Sequence, residues 1–208
     1  MNKSKLKFVY FDIGGVVVQD FSGNDSWQQL KNELGIKPEQ DVQFEKLWPE
    51  LESQACLGRD IDDILPVITK KFGSHLPPGY SFLIDGYVNR FAKNLSIWPV
   101  IEKIKKSYPI GLLTNMYPGM LIAIKNRGLL PDISWDVIID SSLVGMQKPD
   151  PKIFHLAEQK AGVSGKGILF VENSWQHIEA ASLFGWQTFH YESANPQSSS
   201  HQLDLLLK

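Results

Sequence analysis

Short apolar runs alternate with amphipathic segments along the chain and predict an alternation of strands and helices. Four runs rich in β-branched and aromatic residues are typical of strands buried on both faces, and a fifth run is weaker. The predicted strands are Phe8–Ile13, Ile110–Thr114, Val137–Asp140, Ile168–Val171 and Gln187–Tyr191. Helical spacing is found at Val100–Ser107, Gly119–Arg127, Pro151–Ala161 and His177–Leu183. This order predicts an α/β fold with a doubly wound, mostly parallel sheet.

The segment from Asp20 to Asn94 interrupts this alternation. It contains helical patterns and no convincing strand, which predicts a helical insertion after the first strand. The predicted helices are Trp27–Leu34, Gln43–Cys56, Asp60–Phe72 and Ser81–Ala92. After the last strand, a polar stretch over Glu192–Ser200 precedes a predicted closing helix at His201–Leu207.

Composition narrows the class of function. The 208 residues are 43% hydrophobic, enough for a substantial core, and the net charge of -2 favours neither nucleic acid nor an anionic membrane as a partner. A small molecule suits this charge balance better. The single Cys56 cannot form an internal disulfide, and no stretch approaches the roughly 20 apolar residues of a membrane span. We therefore expect a cytoplasmic protein, and the sequence does not indicate its oligomeric state.

Polar residues stand at the ends of the predicted strands or in the loops that follow them. They are Asp12, Thr114–Asn115, Lys148 and Glu172–Asn173. Because ligands of open parallel sheets bind beyond the carboxyl ends of the strands, we expect these side chains to form one site. The set suits an anionic substrate, with Asp12 as nucleophile and Thr114, Asn115 and Lys148 binding the transferred group. Asp12 and Glu172 are candidate ligands of a hard cation such as Mg²⁺.

Four motifs resemble those of the haloacid dehalogenase-like superfamily in order and approximate spacing. They are FVYFDIGGVV, LLTN, GMQKPDPKIF and ILFVENSWQHIEAASLFGW. The resemblance implies a Rossmann-like core over residues 1–19 and 94–208 and a helical cap over residues 20–93. It also implies Mg²⁺ and an aspartyl-phosphate intermediate on Asp12. The sequence is similar to sugar-phosphate phosphatase-like branches, which implies a small phosphorylated metabolite as substrate.

Two positions depart from the usual pattern of the family's phosphatases. Gly14 stands where a second aspartate usually acts as general acid and base, so it keeps only the backbone carbonyl that the resemblance assigns to the metal. Since general acid–base catalysis is typically worth about 10²–10⁴-fold, this loss predicts either a slower enzyme or one whose leaving group needs little protonation. Glu172–Asn173 replaces a pair of aspartates, and Asn173 keeps an acceptor that supports Lys148 while losing a charge.

Three functions remain open, and a phosphomonoesterase is favoured. A metal-independent 2-haloacid dehalogenase would use the same Asp12 nucleophile and tolerate Gly14, although Glu172 argues against it. A catalytically impaired binding protein on the same fold is the third. Two further residues are candidates for the site: Asp20 as a substitute carboxylate, although a turn residue is the favoured interpretation, and His177 as a neighbour of Glu172.

Overall fold

A computed structural model describes residues 3–22, 24–73 and 75–208. Its strands are β1 (Phe8–Phe11), β2 (Val18–Gln19), β3 (Ala92–Lys93), β4 (Ile110–Thr114), β5 (Val137–Asp140), β6 (Ile168–Glu172) and β7 (Gln187–His190). Its α-helices are α1 (Ser26–Glu33), α2 (Asp41–Cys56), α3 (Leu65–Phe72), α4 (Trp98–Lys105), α5 (Met120–Asn126), α6 (Ser141–Val144), α7 (Pro151–Ala161), α8 (Trp175–Leu183) and α9 (Pro196–Leu207). Among these residues no helix is both long and apolar enough to cross a bilayer.

Five of the strands form one parallel sheet in the order β5-β4-β1-β6-β7. This arrangement confirms the predicted doubly wound α/β fold. The central strand β1 is buried on both faces, because Val9 and Phe11 join one apolar cluster while Phe8 and Tyr10 join another. Since β1 lies between β4 and β6 in parallel register, the carboxyl ends of the three strands meet at one edge of the sheet.

Of the helices predicted between β2 and β3, Trp27–Leu34 and Gln43–Cys56 correspond to α1 and α2. The predicted helix Asp60–Phe72 consists of a 3₁₀ turn at Ile61–Ile64 followed by α3.

The helix predicted over Ser81–Ala92 is wrong in kind: Phe82–Tyr87 forms a π-helix and Val88–Arg90 a 3₁₀ turn. Ala92–Lys93 then pairs antiparallel with Val18–Gln19. A two-residue strand is too short to produce an alternating pattern, which is why the sequence did not reveal it.

The C-terminal helix begins earlier than predicted, at Pro196 rather than His201. Three serines of the polar stretch lie inside the helix, and two of them, Ser199 and Ser200, are buried because they bond to the core. Ser200 shares a hydrogen bond of 2.8 Å with the Tyr191 hydroxyl, and the Ser199 hydroxyl accepts one of 3.0 Å from the Glu192 amide. Side-chain hydrogen bonds to buried partners thus stabilise a helix in a segment whose composition is typical of a loop.

The chain leaves and re-enters the core at one buried junction. Asn94, only 1% exposed, donates from its side-chain amide to the Val16 carbonyl at 2.7 Å and to the Tyr191 hydroxyl at 2.9 Å. The Trp98 indole donates to the Val17 carbonyl at 3.0 Å. These bonds fix both ends of the segment that precedes α4.

Replacing Asn94 by alanine should lower the free energy of unfolding by about 1–3 kcal/mol, because the buried Val16 carbonyl loses its side-chain donor. Urea unfolding of N94A measures this change. Asn89→Ala is the matched control, since Asn89 is exposed and bonds only to Asp85 among the described residues. Equal stability of both variants would contradict the importance of the junction.

Candidate active site

A buried lysine bridges two carboxylates at the edge of the sheet where β1 and β6 end. The Lys148 Nζ lies 3.0 Å from Asp12 Oδ1 and 2.6 Å from Glu172 Oε2. The side chains of Lys148 and Glu172 are fully buried, and that of Asp12 is 11% exposed. The Asp12 amide donates to the Val171 carbonyl at 3.0 Å, so the parallel pairing of the strands places Asp12 beside Glu172. The structure therefore brings together the three charged residues predicted for the site.

Asn115 positions Lys148 through its main chain. Its amide oxygen accepts from the Lys148 amide at 2.8 Å, and its amide nitrogen donates to the Lys148 carbonyl at 2.9 Å. This pair of bonds attaches the loop that carries Lys148 to the end of β4. A contact between Asn115 and substrate stays a prediction, because the side chain is already engaged on both of its polar atoms.

Glu172 uses both carboxylate oxygens within the protein. Oε1 accepts from the amides of Asn173 at 2.9 Å and Ser174 at 2.8 Å. Oε2 accepts from Lys148 and lies 3.2 Å from His177 Nδ1. Glu172 is thus the anchor of Lys148 in this structure, and its predicted role as a metal ligand stays a prediction.

The two carboxylates differ in acidity because their surroundings differ. Burial and then the charge of Glu172 raise the pKa of Asp12 to about 7, although Lys148 opposes both. Burial would also raise the pKa of Glu172, but Lys148 and His177 outweigh it and lower that pKa to about 2. Glu172 is the carboxylate that stays ionised, and Asp12 is the one whose charge depends on its surroundings.

Thr114 ends β4 as a fully buried residue whose hydroxyl has no hydrogen-bond partner among the described residues. Buried polar groups are nearly always bonded, so this hydroxyl is available to an added acceptor. Thr114 does not line the pocket itself, and its predicted contact with the transferred group stays a prediction.

A pocket of about 520 Å³ lies over Asp12 and is shared by the sheet edge and α2. It includes the predicted residues Gly14 and Asn173 as well as His177. From α2 it receives Glu52, which the sequence analysis missed. Glu52 follows Trp48 by four residues, so the two side chains lie on the same face of the helix, and Trp48 is buried. This spacing is the one sequence pattern that indicates that Glu52 faces inward.

Asp20 occupies the space that a side chain at position 14 would fill. A Cβ built on Gly14 would lie 2.5 Å from Asp20 Oδ2. The Ser22 amide donates to Asp20 Oδ1 at 2.8 Å, which holds the carboxylate there, and burial raises its pKa. Asp20 lines the pocket with Asp12 and Lys148, and its bond from the Ser22 amide is also that of a turn residue. Its role as a substitute carboxylate stays a prediction.

The sequence matches a known family over most of its length. A family model of the haloacid dehalogenase-like hydrolases covers residues 6–185. The chain belongs to the haloacid dehalogenase-like hydrolase family. This match confirms the resemblance predicted from the four motifs.

Individual members of the haloacid dehalogenase-like family match about half of the chain. The (S)-2-haloacid dehalogenase of Pseudomonas sp. (strain YL) is 28% identical over 109 residues, which are 52% of this chain and 46% of that protein. The GMP/IMP nucleotidase of Escherichia coli (strain K12) is 28% identical over 89 residues, 42% of this chain and 39% of that protein. The chain spans less than half the length of these relatives.

Solved structures of the family share the fold. A family enzyme from Bacteroides thetaiotaomicron, in complex with magnesium and inorganic phosphate, has a TM-score of 0.68 at 17% identity and covers 90% of this chain and 95% of its own. The L-2-haloacid dehalogenase from Xanthobacter autotrophicus with covalently bound chloropropionic acid has a TM-score of 0.61 at 21% identity, covering 89% and 77%. At these identities the likeness concerns the fold.

Charge is the reason a divalent cation fits the pocket of this haloacid dehalogenase-like hydrolase. With both carboxylates ionised, Asp12, Glu172 and Lys148 together carry a net charge of -1, which repels a phosphate dianion. Among the described residues, no three His, Cys, Asp or Glu side chains are grouped as a metal cluster. That arrangement still suits Mg²⁺, which commonly takes one or two carboxylates and completes its shell with water and substrate phosphate.

Replacing Lys148 by methionine should cost about 3–5 kcal/mol of unfolding free energy at pH 8, because two buried carboxylates lose their counter-charge. The loss should be smaller at pH 5. In the folded state the Asp12 carboxyl keeps its proton up to about pH 7, whereas its ordinary pKa is 3.8. Raising the pH between these two values therefore lowers the free energy of unfolding. K148M removes the ammonium group that lowers the pKa of Asp12. The pKa therefore rises further, and the free energy of unfolding that is lost between pH 5 and pH 8 becomes larger.

Urea unfolding of K148M at both pH values measures the effect. The exposed Lys152→Met, four residues further along the chain, is the matched control and should change stability little at either pH. A loss for K148M that is larger at pH 5 than at pH 8 would contradict the assigned sign.

Proposed function

We propose that this protein is a Mg²⁺-dependent phosphomonoesterase that hydrolyses a small phosphorylated metabolite through an aspartyl-phosphate on Asp12. The ion pair between Asp12 and the buried Lys148, at the carboxyl edge of the sheet, carries the proposal. It places a carboxylate nucleophile beside a fixed cation that neutralises charge on the transferred group. Mg²⁺ would be held by Asp12 and the Gly14 carbonyl, and when bound it offsets the negative charge of the phosphate.

The proposed steps use residues of the pocket together with Thr114 at the end of β4. A carboxylate oxygen of Asp12 attacks phosphorus, the ester P–O bond breaks, and Lys148 stabilises the charge on the transferred oxygens. Thr114 donates its unpaired hydroxyl to one of these oxygens. Asp20, in its protonated form, gives its proton to the departing alcohol oxygen. It then accepts a proton from the water that attacks phosphorus, which releases inorganic phosphate and restores Asp12.

A metal-independent 2-haloacid dehalogenase is the second candidate. It is favoured by the similarity to the Pseudomonas enzyme and by the absence of a side chain at Gly14. The charge of the pocket disfavours it, because Lys148 is the only lysine or arginine among the described lining residues and already serves two carboxylates. A haloacid would bring a third carboxylate with no metal to balance it.

Asp12→Asn should abolish phosphate release from a panel of phosphomonoesters in the presence of Mg²⁺, because an amide is a far weaker nucleophile than a carboxylate. Rapid quenching of wild type with ³²P-labelled substrate should trap a phosphoprotein that D12N does not form. Asp136→Asn removes a partly exposed carboxylate elsewhere in the chain and should retain full activity.

Two outcomes would overturn this assignment. Full Mg²⁺-dependent activity of D12N would exclude Asp12 as nucleophile. Release of chloride from 2-chloropropionate without Mg²⁺, with no phosphate release from any ester, would instead establish the dehalogenase.

Asp20→Asn should lower the rate of phosphoenzyme formation, measured in a single turnover, by about 10²–10⁴-fold for alkyl phosphates. The loss should be much smaller for p-nitrophenyl phosphate, whose leaving group needs no proton. The double change Gly14→Asp with Asp20→Ser should restore part of the alkyl phosphatase activity, because it moves the carboxylate within the same space. The backbone allows this, since Gly14 is not in the left-handed region.

Asp25→Asn is the matched control, since Asp25 is an exposed acid five residues further along the chain. Equal losses in the rate of phosphoenzyme formation from alkyl and p-nitrophenyl phosphates in D20N would contradict proton donation by Asp20.

A further inference from the structure

A second cavity, of about 360 Å³, opens beside the pocket over Asp12 and lies between the insertion and the sheet edge. The two share Gly14, Asp20, Glu52 and Tyr117 among their lining residues, so a molecule held over Asp12 reaches into both. Aromatic rings form much of its wall: Phe21, Trp27, Trp48, Tyr87, Phe91 and Tyr117. We call this space the aromatic cavity.

The rings of the aromatic cavity contact one another around Glu52. The centroids of Trp27 and Trp48 are 5.2 Å apart, and those of Tyr87 and Tyr117 are 5.1 Å apart at nearly perpendicular planes. Trp48 and Glu52 are neighbouring residues on one face of α2, while the Tyr117 hydroxyl donates to Glu52 Oε1 at 3.0 Å. A carboxylate is thus presented within an aromatic wall.

Glu52 has no cationic partner in the part of the chain that the structure describes. No lysine, arginine or histidine is among the described lining residues of the aromatic cavity, and no described ion pair includes Glu52. Burial raises the pKa of Glu52, as expected for a carboxylate without a counter-charge. Glu45, the other glutamate of this wall, differs because Lys31 pairs with it at 2.8 Å.

Tyr87 stands in the same wall and is only 6% exposed. Its hydroxyl makes no hydrogen bond of normal geometry among the described residues, but it interacts with the hydroxyl of Tyr117, which in turn donates to Glu52. The carboxylate of Glu52 is thus reached by a hydroxyl and by no cation of the described residues. A carboxylate without a counter-charge in this cavity indicates that a cationic ligand completes it.

We propose that the aromatic cavity binds the alcohol part of the substrate and that this alcohol carries a positively charged amine. The inference rests on the proposed function, because it takes the phosphate to lie over Asp12. Aromatic faces attract cations, most strongly a quaternary ammonium group enclosed by several rings, and Glu52 supplies the balancing charge. The same features exclude alcohols with a second phosphate or a carboxylate, since none of the described lining residues would neutralise it.

The test compares substrates that differ in charge but not in shape. Phosphocholine and its neutral isostere 3,3-dimethylbutyl phosphate place a trimethylated nitrogen or carbon at the same position. We expect kcat/KM to favour phosphocholine by roughly 10-fold or more, as an enclosed cation–aromatic contact allows. Equal rates for the two, or faster turnover of 3-phosphoglycerate or GMP, would overturn the inference.

Glu52→Gln keeps the shape of the side chain and removes its charge. It should reduce the preference for phosphocholine over the isostere by several-fold, whereas Glu50→Gln, which removes an exposed charge from the same helix, should leave the preference intact. An unchanged preference in E52Q would contradict the role of this carboxylate.

Calorimetry with choline alone separates this inference from the proposed function. Wild-type protein should bind choline more tightly than 3,3-dimethylbutanol, a comparison that needs neither a variant nor turnover. Choline binding without hydrolysis of any phosphoester would overturn the phosphatase and keep the cation site. Hydrolysis of phosphoesters with no preference for choline would keep the phosphatase and overturn the cation site. Failure of both measurements would overturn both.

Discussion

The site depends on one buried ammonium group shared by two carboxylates. Two such carboxylates repel each other, and both lose hydration, so Lys148 between them favours the ionised form of each. The sheet supplies the geometry, because β1 and β6 are adjacent and parallel and end together. Asn115 follows β4 on the other side of β1, and its hydrogen bond with the Lys148 main chain holds the lysine in place. Three strands and one loop therefore determine the position of a single atom, the Nζ of Lys148.

Sharing one cation does not make the two carboxylates equivalent. Glu172 is surrounded by donors on both oxygens, which suits a group that stays charged and holds Lys148 in place. Asp12 has fewer contacts and faces the pocket, which suits a group that forms and loses a covalent bond. The protein thus separates the anchoring role from the reactive role by the number of donors around each carboxylate.

The sequence predicted the sheet and its three charged residues because both follow from local patterns. Apolar runs locate the strands, and adjacent parallel strands share an edge, so Asp12 and Glu172 lie side by side. Lys148 lies in the loop after α6, and its position depends on the hydrogen bonds between this loop and Asn115. The sequence did not place Asp20 firmly or find Glu52. The position of Glu52 depends on how the helices between β2 and β3 dock on the sheet, which is a matter of side-chain packing with no short-range pattern. The strands β2 and β3 were not predicted because each has only two residues.

The junction at Asn94 has a consequence for the position of Asp20. Bonds from Asn94 and Trp98 to the carbonyls of Val16 and Val17 tie the outgoing and returning chain to the core. The ladder between β2 and β3 ties them to each other just beyond. Asp20 directly follows β2, so its backbone is held next to this doubly fastened neck of the chain. The carboxylate that fills the space beside Gly14 is therefore fixed by the core and not by the helices that follow it.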